Sequence, residues 1–348
     1  MEERKIRVAI TQGDTNGIGY ELIFKTFASP EMLELCTPIV YGSPKIAAYH
    51  RKALNTEGSF SIISNADEAK DGRVNLLTCF DDEVKVDLGL STPESANAGE
   101  RALQRSLDDA RQQLFDALVL SPLESNTKLA IESQPVVIAA PLRMAFLTQH
   151  IALKDVAGSI TEQALIEQAT QLFNTLKRDL RFSNPRVALL ALNPKAEGTE
   201  ETEVIAPAVT KLEEAHVNAF GPYAADDFFG SGKYEAFEGV LAMYHDQGMA
   251  PLKALTDAGR VILYGGLPMV VTAPDVTPNF EEAGRGMADE TTFRQAIYMA
   301  IDVCRNRRTY DLPLANPLPK LYHEKRDESE KVRFSIPKKH ENSIKERL

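Results

Sequence analysis

Short apolar runs that alternate with helical patterns constrain the fold of this chain more than any other feature. Ten runs rich in Val, Ile and Leu are apolar on both faces, which is typical of strands covered by helices. They are Ile6–Ile10, Ile39–Tyr41, Asn75–Leu77, Ala117–Leu120, Val136–Ala139, Met144–Leu147, Val187–Ala191, Val240–Met243, Val261–Tyr264 and Met269–Thr272. The helical patterns are Glu21–Phe27, Ala98–Leu114, Glu162–Leu176, Val204–His216 and Thr291–Arg305. The alternation predicts an α/β protein with a parallel or mixed sheet and at least two lobes.

Length and charge narrow the class of protein further. A chain of 348 residues is long enough for two domains. Its 50 acidic and 39 basic residues give a formal net charge of −11, which disfavours nucleic acid and anionic membranes as partners. The first residues, MEERKIRVAI, lack the apolar core of a signal peptide, and no apolar stretch is long enough to span a bilayer. We therefore expect a cytoplasmic protein.

The three cysteines, Cys36, Cys79 and Cys304, are widely spaced and odd in number. This spacing fits neither a disulfide framework nor a zinc ribbon. Each lies in or beside an apolar run, so we expect buried free thiols.

Three glycines follow the first predicted strand, in the segment from Gly13 to Gly19 that leads into a helix. Glycines between a strand and a helix allow tight turns and let a ligand approach the backbone N–H groups. The spacing G-x-x-x-G-x-G matches neither the dinucleotide fingerprint nor the phosphate loop. A turn role and a ligand role are equally open on spacing alone.

Two of the six histidines stand at predicted strand ends. His150 follows the run Met144–Leu147, and His245 follows Val240–Met243. Because ligands gather beyond the carboxyl ends of strands in open α/β sheets, the two imidazoles could converge on one divalent metal. The alternative is that each histidine caps its own strand with a hydrogen bond. Of the others, His50 and His216 are expected at the surface, and His323 and His340 lie in the tail.

Two further segments carry candidate cations. Lys253 follows His245 across Gly248 and Pro251, where its ammonium group could hold a phosphate or assist proton transfer, or could simply be solvated. The turn Gly284-Arg285-Gly286 suits a cofactor phosphate or ribose, and its alternative is a helix C-cap.

Taken together, these segments resemble the family of 4-hydroxythreonine-4-phosphate dehydrogenases. The resemblance rests on six segments in the family's order: Gly13 to Glu21, Thr148 to Val156, Leu192-Asn193-Pro194, Ala242 to Gly248, Gly266-Leu267-Pro268, and Ala283 to Gly286. It covers the chain from about residue 5 to Arg308. Several ordered motifs are far more specific than any one alone.

The resemblance implies an isopropylmalate-dehydrogenase-like fold, with two α/β/α lobes and a cleft between them. We expect residues 1–125 and 262–320 to form the first lobe, 126–261 the second, and 321–348 a charged tail. It also implies a homodimer that oxidises a small phosphorylated substrate with NAD, assisted by zinc or magnesium, and then releases carbon dioxide. His150 and His245 become metal ligands, Lys253 and Asp246 catalytic residues with Lys253 contacting substrate, and Gly284, Arg285 and Gly286 cofactor-binding residues.

Several positions depart from the family's pattern. Lys195 occupies the third metal-ligand position, where the family has histidine after Asn-Pro. The family's substrate-gripping Gly-His-Thr-Glu is missing between Leu123 and Pro135, and Ile262 and Val271 replace its Asn and Arg substrate contacts. Val276-Thr277-Pro278 replaces the His-Gly-Thr of the adenosine site.

Three hypotheses follow from these matches and departures. The first is a dehydrogenase of pyridoxal phosphate biosynthesis acting on 4-hydroxythreonine 4-phosphate or a related phosphorylated hydroxy acid. The second is a catalytically silent homologue that serves as a scaffold or pairs with an active paralogue. The third is an enzyme with altered chemistry or substrate in the same cleft.

Overall fold

A computed structural model describes residues 4–80, 83–124, 133–256 and 259–317 of the chain. The chain divides into a large unit that ends at Tyr310 and a second unit that begins at Asp311. The sheet and the candidate site described below belong to the large unit. The expected tail, 321–348, lies outside the described residues, and the division into lobes stays a prediction.

One twelve-stranded sheet runs through the large unit, in the order β3-β4-β2-β1-β5-β12-β11-β6-β7-β10-β8-β9. The strands are β1 Arg7–Thr11, β2 Thr37–Gly42, β3 Ser61–Ile63, β4 Asn75–Thr78, β5 Ala117–Val119, β6 Gln134–Ala139, β7 Leu142–Thr148, β8 Val187–Leu190, β9 Ala219–Tyr223, β10 Gly239–Tyr244, β11 Val261–Gly265 and β12 Val270–Pro274. All ten predicted strands are present. β3 and β9 were not predicted.

The sheet is mixed, and its two halves run in opposite directions. From β3 to β12 the strands are mutually parallel, and from β7 to β9 they are again mutually parallel. Between the halves, β11 and β6 pair antiparallel with each other and with their outer neighbours. The carboxyl ends of the two parallel halves therefore point in opposite directions along the strands.

Helices cover both faces of the sheet. They are α1 Gly19–Phe27, α2 Glu31–Leu35, α3 Pro44–Ala53, α4 Pro93–Arg111, α5 Leu153–Ser159, α6 Glu162–Asn174, α7 Ala206–Glu214, α8 Ala225–Gly230, α9 His245–Leu255 and α10 Thr291–Ala315. A single π turn at Thr175–Asp179 extends α6, and another at Glu201–Ile205 precedes α7. The predicted start of α6 is confirmed, since the Thr161 hydroxyl accepts a hydrogen bond from the Ala164 amide at 3.2 Å.

Alternate residues of a buried strand pack into different hydrophobic clusters on opposite faces of the sheet. In β1, Val8 and Ile10 pack with α1 and α10, whereas Ala9 packs on the other face with α4. In β10, Leu241 packs with α6 and α7, and Val240 packs with α8 and α9. This arrangement of a helix-covered mixed sheet confirms the predicted α/β class.

Cys36 and Cys304 are buried free thiols as expected, and Cys79 is partly buried. Burial raises the pKa of all three to about 12, so the thiols are protonated at neutral pH. None of the described helices is long and apolar enough to cross a membrane.

Candidate functional site

Polar side chains tie together the carboxyl ends of three neighbouring strands, β7, β10 and β8. The Thr148 hydroxyl donates to the Met243 carbonyl at 2.7 Å, which joins β7 to β10. The buried Gln247 amide accepts from the Met243 N–H at 2.7 Å and donates to the Ala191 carbonyl at 2.6 Å, which joins β10 to β8. These bonds fix the strand ends that carry the candidate ligands. Gln247 was not predicted as a site residue, although it belongs to the His245-Asp246-Gln247-Gly248 motif.

His150 and His245 come together at this edge, as predicted. His150 lies two residues beyond β7, and His245 is the first residue of α9, directly after β10. Their ring centroids are 5.8 Å apart, and the His245 ring also lies 5.4 Å from that of Phe146. His150 adopts a left-handed backbone conformation with φ of 51°. Because both rings are accessible, a ligand can reach them.

The side chain of Asp246 contacts the ring of His245. Its carboxylate is 2.9 Å from the Nδ1 atom of His245. The Asp246 side chain is 87% exposed, so water screens most of this attraction. The contact nevertheless favours the tautomer with a proton on Nδ1 and a bare Nε2.

Two adjoining cavities meet at His150. The larger, of about 330 Å³, is lined by Thr148, His150, Ile151, Leu153, Val156, Tyr244, His245 and Asp246. The smaller, of about 170 Å³, is lined by Pro122, Leu123, Pro135, Gln149, His150, Ile262, Tyr264, Ala273, Pro274, Asp275 and Val276. Ile262 and Val276 therefore face this site, whereas Val271 is buried in the core. A small molecule can lie against the imidazole of His150 from either side.

Lys195 lies beyond β8, in a turn over Pro194–Ala196. Its backbone is left-handed, with φ of 60°, and its side chain is exposed. The turn is held by Asn193, whose backbone N–H donates to Glu201 at 2.8 Å and whose side-chain amide donates to Glu200 at 3.0 Å and Glu201 at 2.9 Å. Among the described residues, no three His, Cys, Asp or Glu side chains gather into a metal-binding group.

Lys253 is not brought to the two cavities. Lys253 and His245 both belong to the helix α9, which continues through Gly248 and Pro251. At 1.5 Å per residue, Lys253 lies roughly 12 Å along the helix axis from His245. Its side chain is exposed, and its predicted contact with substrate stays a prediction.

The loop from Gly13 to Gly19 is buried throughout and makes tight backbone contacts. A Cβ atom at Gly13, Gly17 or Gly19 would lie 2.7, 2.8 or 2.2 Å from a carbonyl oxygen of Pro122, Pro278 or Gln12. This contact pattern favours the turn role that spacing alone left open.

The turn around Gly284, Arg285 and Gly286 does not cap a helix, since the described residues 280–286 form a succession of turns. Both glycines have positive φ, 74° and 72°. The Lys25 ammonium donates to the carbonyl oxygens of Gly286 and Ala288 at 2.8 and 2.6 Å, which fastens the turn to α1. Arg285 is exposed. The cofactor role of this segment stays a prediction.

The sequence predicted that two other histidines, His50 and His216, lie at the surface, and the structure confirms this for one of them. His50 was expected at the surface but is fully buried on α3, so that prediction was wrong. His216 is exposed, as expected. The segment from Leu123 to Pro135, where the substrate-gripping histidine is missing, lies mostly outside the described residues.

Comparison with known proteins gives consistent matches over most of the chain. The family model described as pyridoxal phosphate biosynthetic protein PdxA matches residues 34–300. A 4-hydroxythreonine-4-phosphate dehydrogenase from Bacteroides thetaiotaomicron is 45% identical, with 96% of this chain and 98% of that protein covered. Matches to solved structures show the same fold. A 4-hydroxythreonine-4-phosphate dehydrogenase from Burkholderia phymatum aligns with a TM-score of 0.70 and 26% identity, over 86% of this chain and 99% of that one. One from Klebsiella pneumoniae aligns with a TM-score of 0.73 and 24% identity, over 87% and 99%.

Proposed function

We propose, because this chain belongs to the PdxA family of pyridoxal phosphate biosynthetic proteins, that it oxidises 4-hydroxythreonine 4-phosphate or a related phosphorylated hydroxy acid with NAD. The relatives described above are named as dehydrogenases of 4-hydroxythreonine 4-phosphate, and this chain covers nearly their full length. The observation that carries the proposal is the pair His150 and His245, which line one cavity with ring centroids 5.8 Å apart.

The residues of this pair can handle the proton of the reaction. Oxidation of a secondary alcohol moves a hydride from carbon to NAD and a proton from the hydroxyl group to a base. With Nδ1 of His245 directed to Asp246, its Nε2 can accept that proton. His150 faces the same cavity and can donate or accept a hydrogen bond to orient the hydroxyl group. The ketone product is a 3-oxo acid, which can then lose carbon dioxide.

A divalent metal does not fit the donor set of one chain. Zinc sites use at least three protein ligands, and magnesium prefers oxygen ligands. The described residues of this edge offer two imidazoles, and the third strand end carries the ammonium group of Lys195, which has no lone pair to donate. No step of the proposed reaction therefore depends on a metal.

We also propose that the chain assembles as a homodimer. Ile151 and Leu153 border the larger cavity with 44% and 70% of their surfaces exposed. Apolar side chains this exposed beside a site support a second copy of the chain as their cover. The cytoplasmic location and the preference for NAD stay predictions.

The proposal predicts NADH formation by the purified protein when it is given 4-hydroxythreonine 4-phosphate and NAD. Replacing the proton acceptor, His245→Ala, should lower kcat by about 10²–10⁴-fold. His216→Ala is the matched control, because it removes an exposed histidine beyond the end of α7. Absorbance at 340 nm measures the product. No turnover by folded protein, with or without added zinc, would contradict the proposal.

A second candidate is a catalytically silent homologue that acts as a scaffold or pairs with an active paralogue. Lys195 favours it, because an ammonium group stands where the resemblance expects a metal-binding imidazole. In that case the purified protein gives no NADH alone, and His245→Ala leaves any activity of a mixed assembly unchanged.

A further inference from the structure

The segment between β12 and α10 carries the turn Gly284-Arg285-Gly286, and it is fastened on both sides of that turn. Before the turn, the Ile18 amide donates to the Pro278 carbonyl oxygen at 3.0 Å. After the turn, the Ala288 amide donates to the Glu21 carboxylate at 2.8 Å. The turn therefore lies between two contacts with α1 and the residue that precedes this helix.

Lys25 completes the second of these attachments. Its ammonium group donates to the carbonyl oxygens of Gly286 at 2.8 Å and Ala288 at 2.6 Å, and it lies 3.1 Å from the Glu21 carboxylate. An ammonium group has three donors, so these three partners use its full capacity. The Glu21 side chain is fully buried, and that of Lys25 is 31% exposed. Because a buried carboxylate is costly without a partner, Glu21 holds the ammonium group in this position.

The open face of the turn fits an anionic group. Gly284 and Gly286 have φ of 74° and 72°, a backbone conformation that favours glycine. A Cβ atom at Gly286 would meet no atom within 4 Å, so a ligand can approach the backbone there. Arg285 is exposed between the two glycines and adds a positive charge. The turn therefore suits the diphosphate of NAD as long as its backbone keeps this conformation.

We propose that Lys25 is a positioning residue for NAD, which together with Glu21 holds the turn Gly284-Arg285-Gly286 in the conformation that binds the cofactor. The inference rests on the proposed function, which supplies NAD as the cofactor. Lys25 uses its three donors within the protein, so it acts on NAD through the turn and does not contact it. Without the ammonium group, the turn loses two hydrogen bonds and must be ordered when NAD binds, which lowers the affinity.

Steady-state kinetics of Lys25→Met test this role. Methionine has a side chain of similar length but donates no hydrogen bond. We expect the KM for NAD to rise by about tenfold, while kcat and the KM for 4-hydroxythreonine 4-phosphate change by less than about twofold. Lys25→Arg keeps a cation that donates hydrogen bonds, and it should hold the KM for NAD within about threefold of the wild type. Lys52→Met removes a lysine from an exposed position on α3 and should leave all three constants unchanged.

Two further measurements need no turnover. Calorimetric titration with NAD should show a Kd about tenfold weaker for Lys25→Met, which corresponds to about 1.4 kcal/mol. Hydrogen exchange of the Ala288 amide without NAD should be faster in this variant, because the bond of that amide to Glu21 is less firmly held. Where the single variant is unstable, Lys25→Met combined with Glu21→Gln removes both charges, and we expect the same loss of NAD affinity.

Two results would overturn the inference. One is an NAD Kd of Lys25→Met equal to that of the wild type. The other is a fall in kcat without a change in the KM for NAD, since a merely structural role lowers the amount of active protein and leaves the cofactor affinity as it was.

The positioning role and the dehydrogenase proposal can fail separately. NAD binding that depends on Lys25, without NADH formation, supports the positioning role and removes the dehydrogenase proposal. NADH formation with a KM for NAD that is independent of Lys25 removes the positioning role and keeps the dehydrogenase. A wild-type chain that binds no NAD removes both.

Discussion

At the scale of single residues, His50 is an ionisable side chain in apolar, buried surroundings. Its ring is fully buried between α3 and the glycine loop, 5.2 Å from the ring of Tyr20, and its Nε2 atom is 2.8 Å from the Thr15 carbonyl oxygen. The Nδ1 atom has no hydrogen-bond partner among the described residues. Burial lowers the pKa of His50, while the Thr15 carbonyl and Glu21 act in the opposite direction. The imidazole is therefore held neutral.

This lowered pKa predicts a stability that falls in mild acid. The unfolded chain binds a proton at His50 more readily than the folded chain does, so stability is full above pH about 6.5 and is lost as pH falls towards the folded pKa. The loss approaches about 1.4 kcal/mol per pH unit. Urea denaturation between pH 7.5 and pH 5 measures it. His50→Gln should flatten the dependence, whereas His216→Gln, at an exposed site, should not. An unchanged slope in His50→Gln would show that other groups cause the loss.

At the scale of elements, the Gly13–Gly19 loop sets how β1 is joined to α1. Gly19 is the first residue of α1, and a Cβ atom there would lie 2.2 Å from the Gln12 carbonyl oxygen. The backbone of the loop also bonds to neighbouring segments, through Asp14 to Pro122 and Ile18 to Pro278. Burial raises the pKa of Asp14, and its bonds to Asn16 and Ser95 oppose the rise. The loop is thus a packed connection with no spare room for side chains.

Adding one methyl group to this loop should destabilise the protein. Gly19→Ala must move the backbone of α1 or β1, and we expect a loss of about 1–3 kcal/mol in the free energy of unfolding. Gly158→Ala is the matched control: a Cβ at this position of α5 meets no atom within 4 Å, and helix propensity predicts a gain of about 0.5–1 kcal/mol. Thermal and urea denaturation compare the two. Equal effects would mean that the loop relaxes freely.

The same elements show what the sequence can predict. All ten strands that have continuous apolar runs were predicted, because a strand buried on both faces consists of consecutive apolar residues. β3 has only three residues at the sheet edge, and β9 contains Gly221 and Pro222. Neither strand therefore has the continuous apolar run that predicted the others. The helix α9 was not predicted either, because it contains Gly248 and Pro251, which are unfavourable inside helices.

For the site, the pairing of His150 with His245 was predictable, since both follow strand ends. The burial of His50, the hydrogen bonds of Gln247 and the left-handed turn at Lys195 were not. They arise from contacts between residues far apart in the sequence, which no local pattern contains.

At the scale of the whole molecule, α10 links the two halves of the sheet. Its Phe293 and Ile297 pack in the core around β1, whereas Arg307 reaches the π turn that ends α6. Arg307 forms two bonds to Asp179, at 2.7 and 2.8 Å, and one each to the carbonyl oxygens of Leu267 and Pro268. Both side chains of the pair are buried, at 8% and 3% exposure. Arg307 thus joins segments from both halves.

Breaking this pair should be costly for the entire large unit. Arg307→Met leaves the Asp179 carboxylate buried without its partner, and we expect a loss of about 3–5 kcal/mol in the free energy of unfolding. Arg305→Met, which removes an exposed arginine 3.7 Å from Asp302, should change it by less than about 1 kcal/mol. Chemical denaturation measures both. A small effect of Arg307→Met would show that the two halves do not depend on this contact.

The order of strands in the sheet also has a consequence for synthesis on the ribosome. β5 ends at Val119, but its neighbour on one side is β12, which begins at Val270. At about 5–20 residues per second, the ribosome needs on the order of ten seconds to deliver that neighbour. During this interval the hydrogen-bonding edge of β5 and the apolar surface that α10 will cover stay open in the nascent chain. We therefore expect the nascent chain to be prone to aggregation through this edge until β12 has been synthesised and has paired with it.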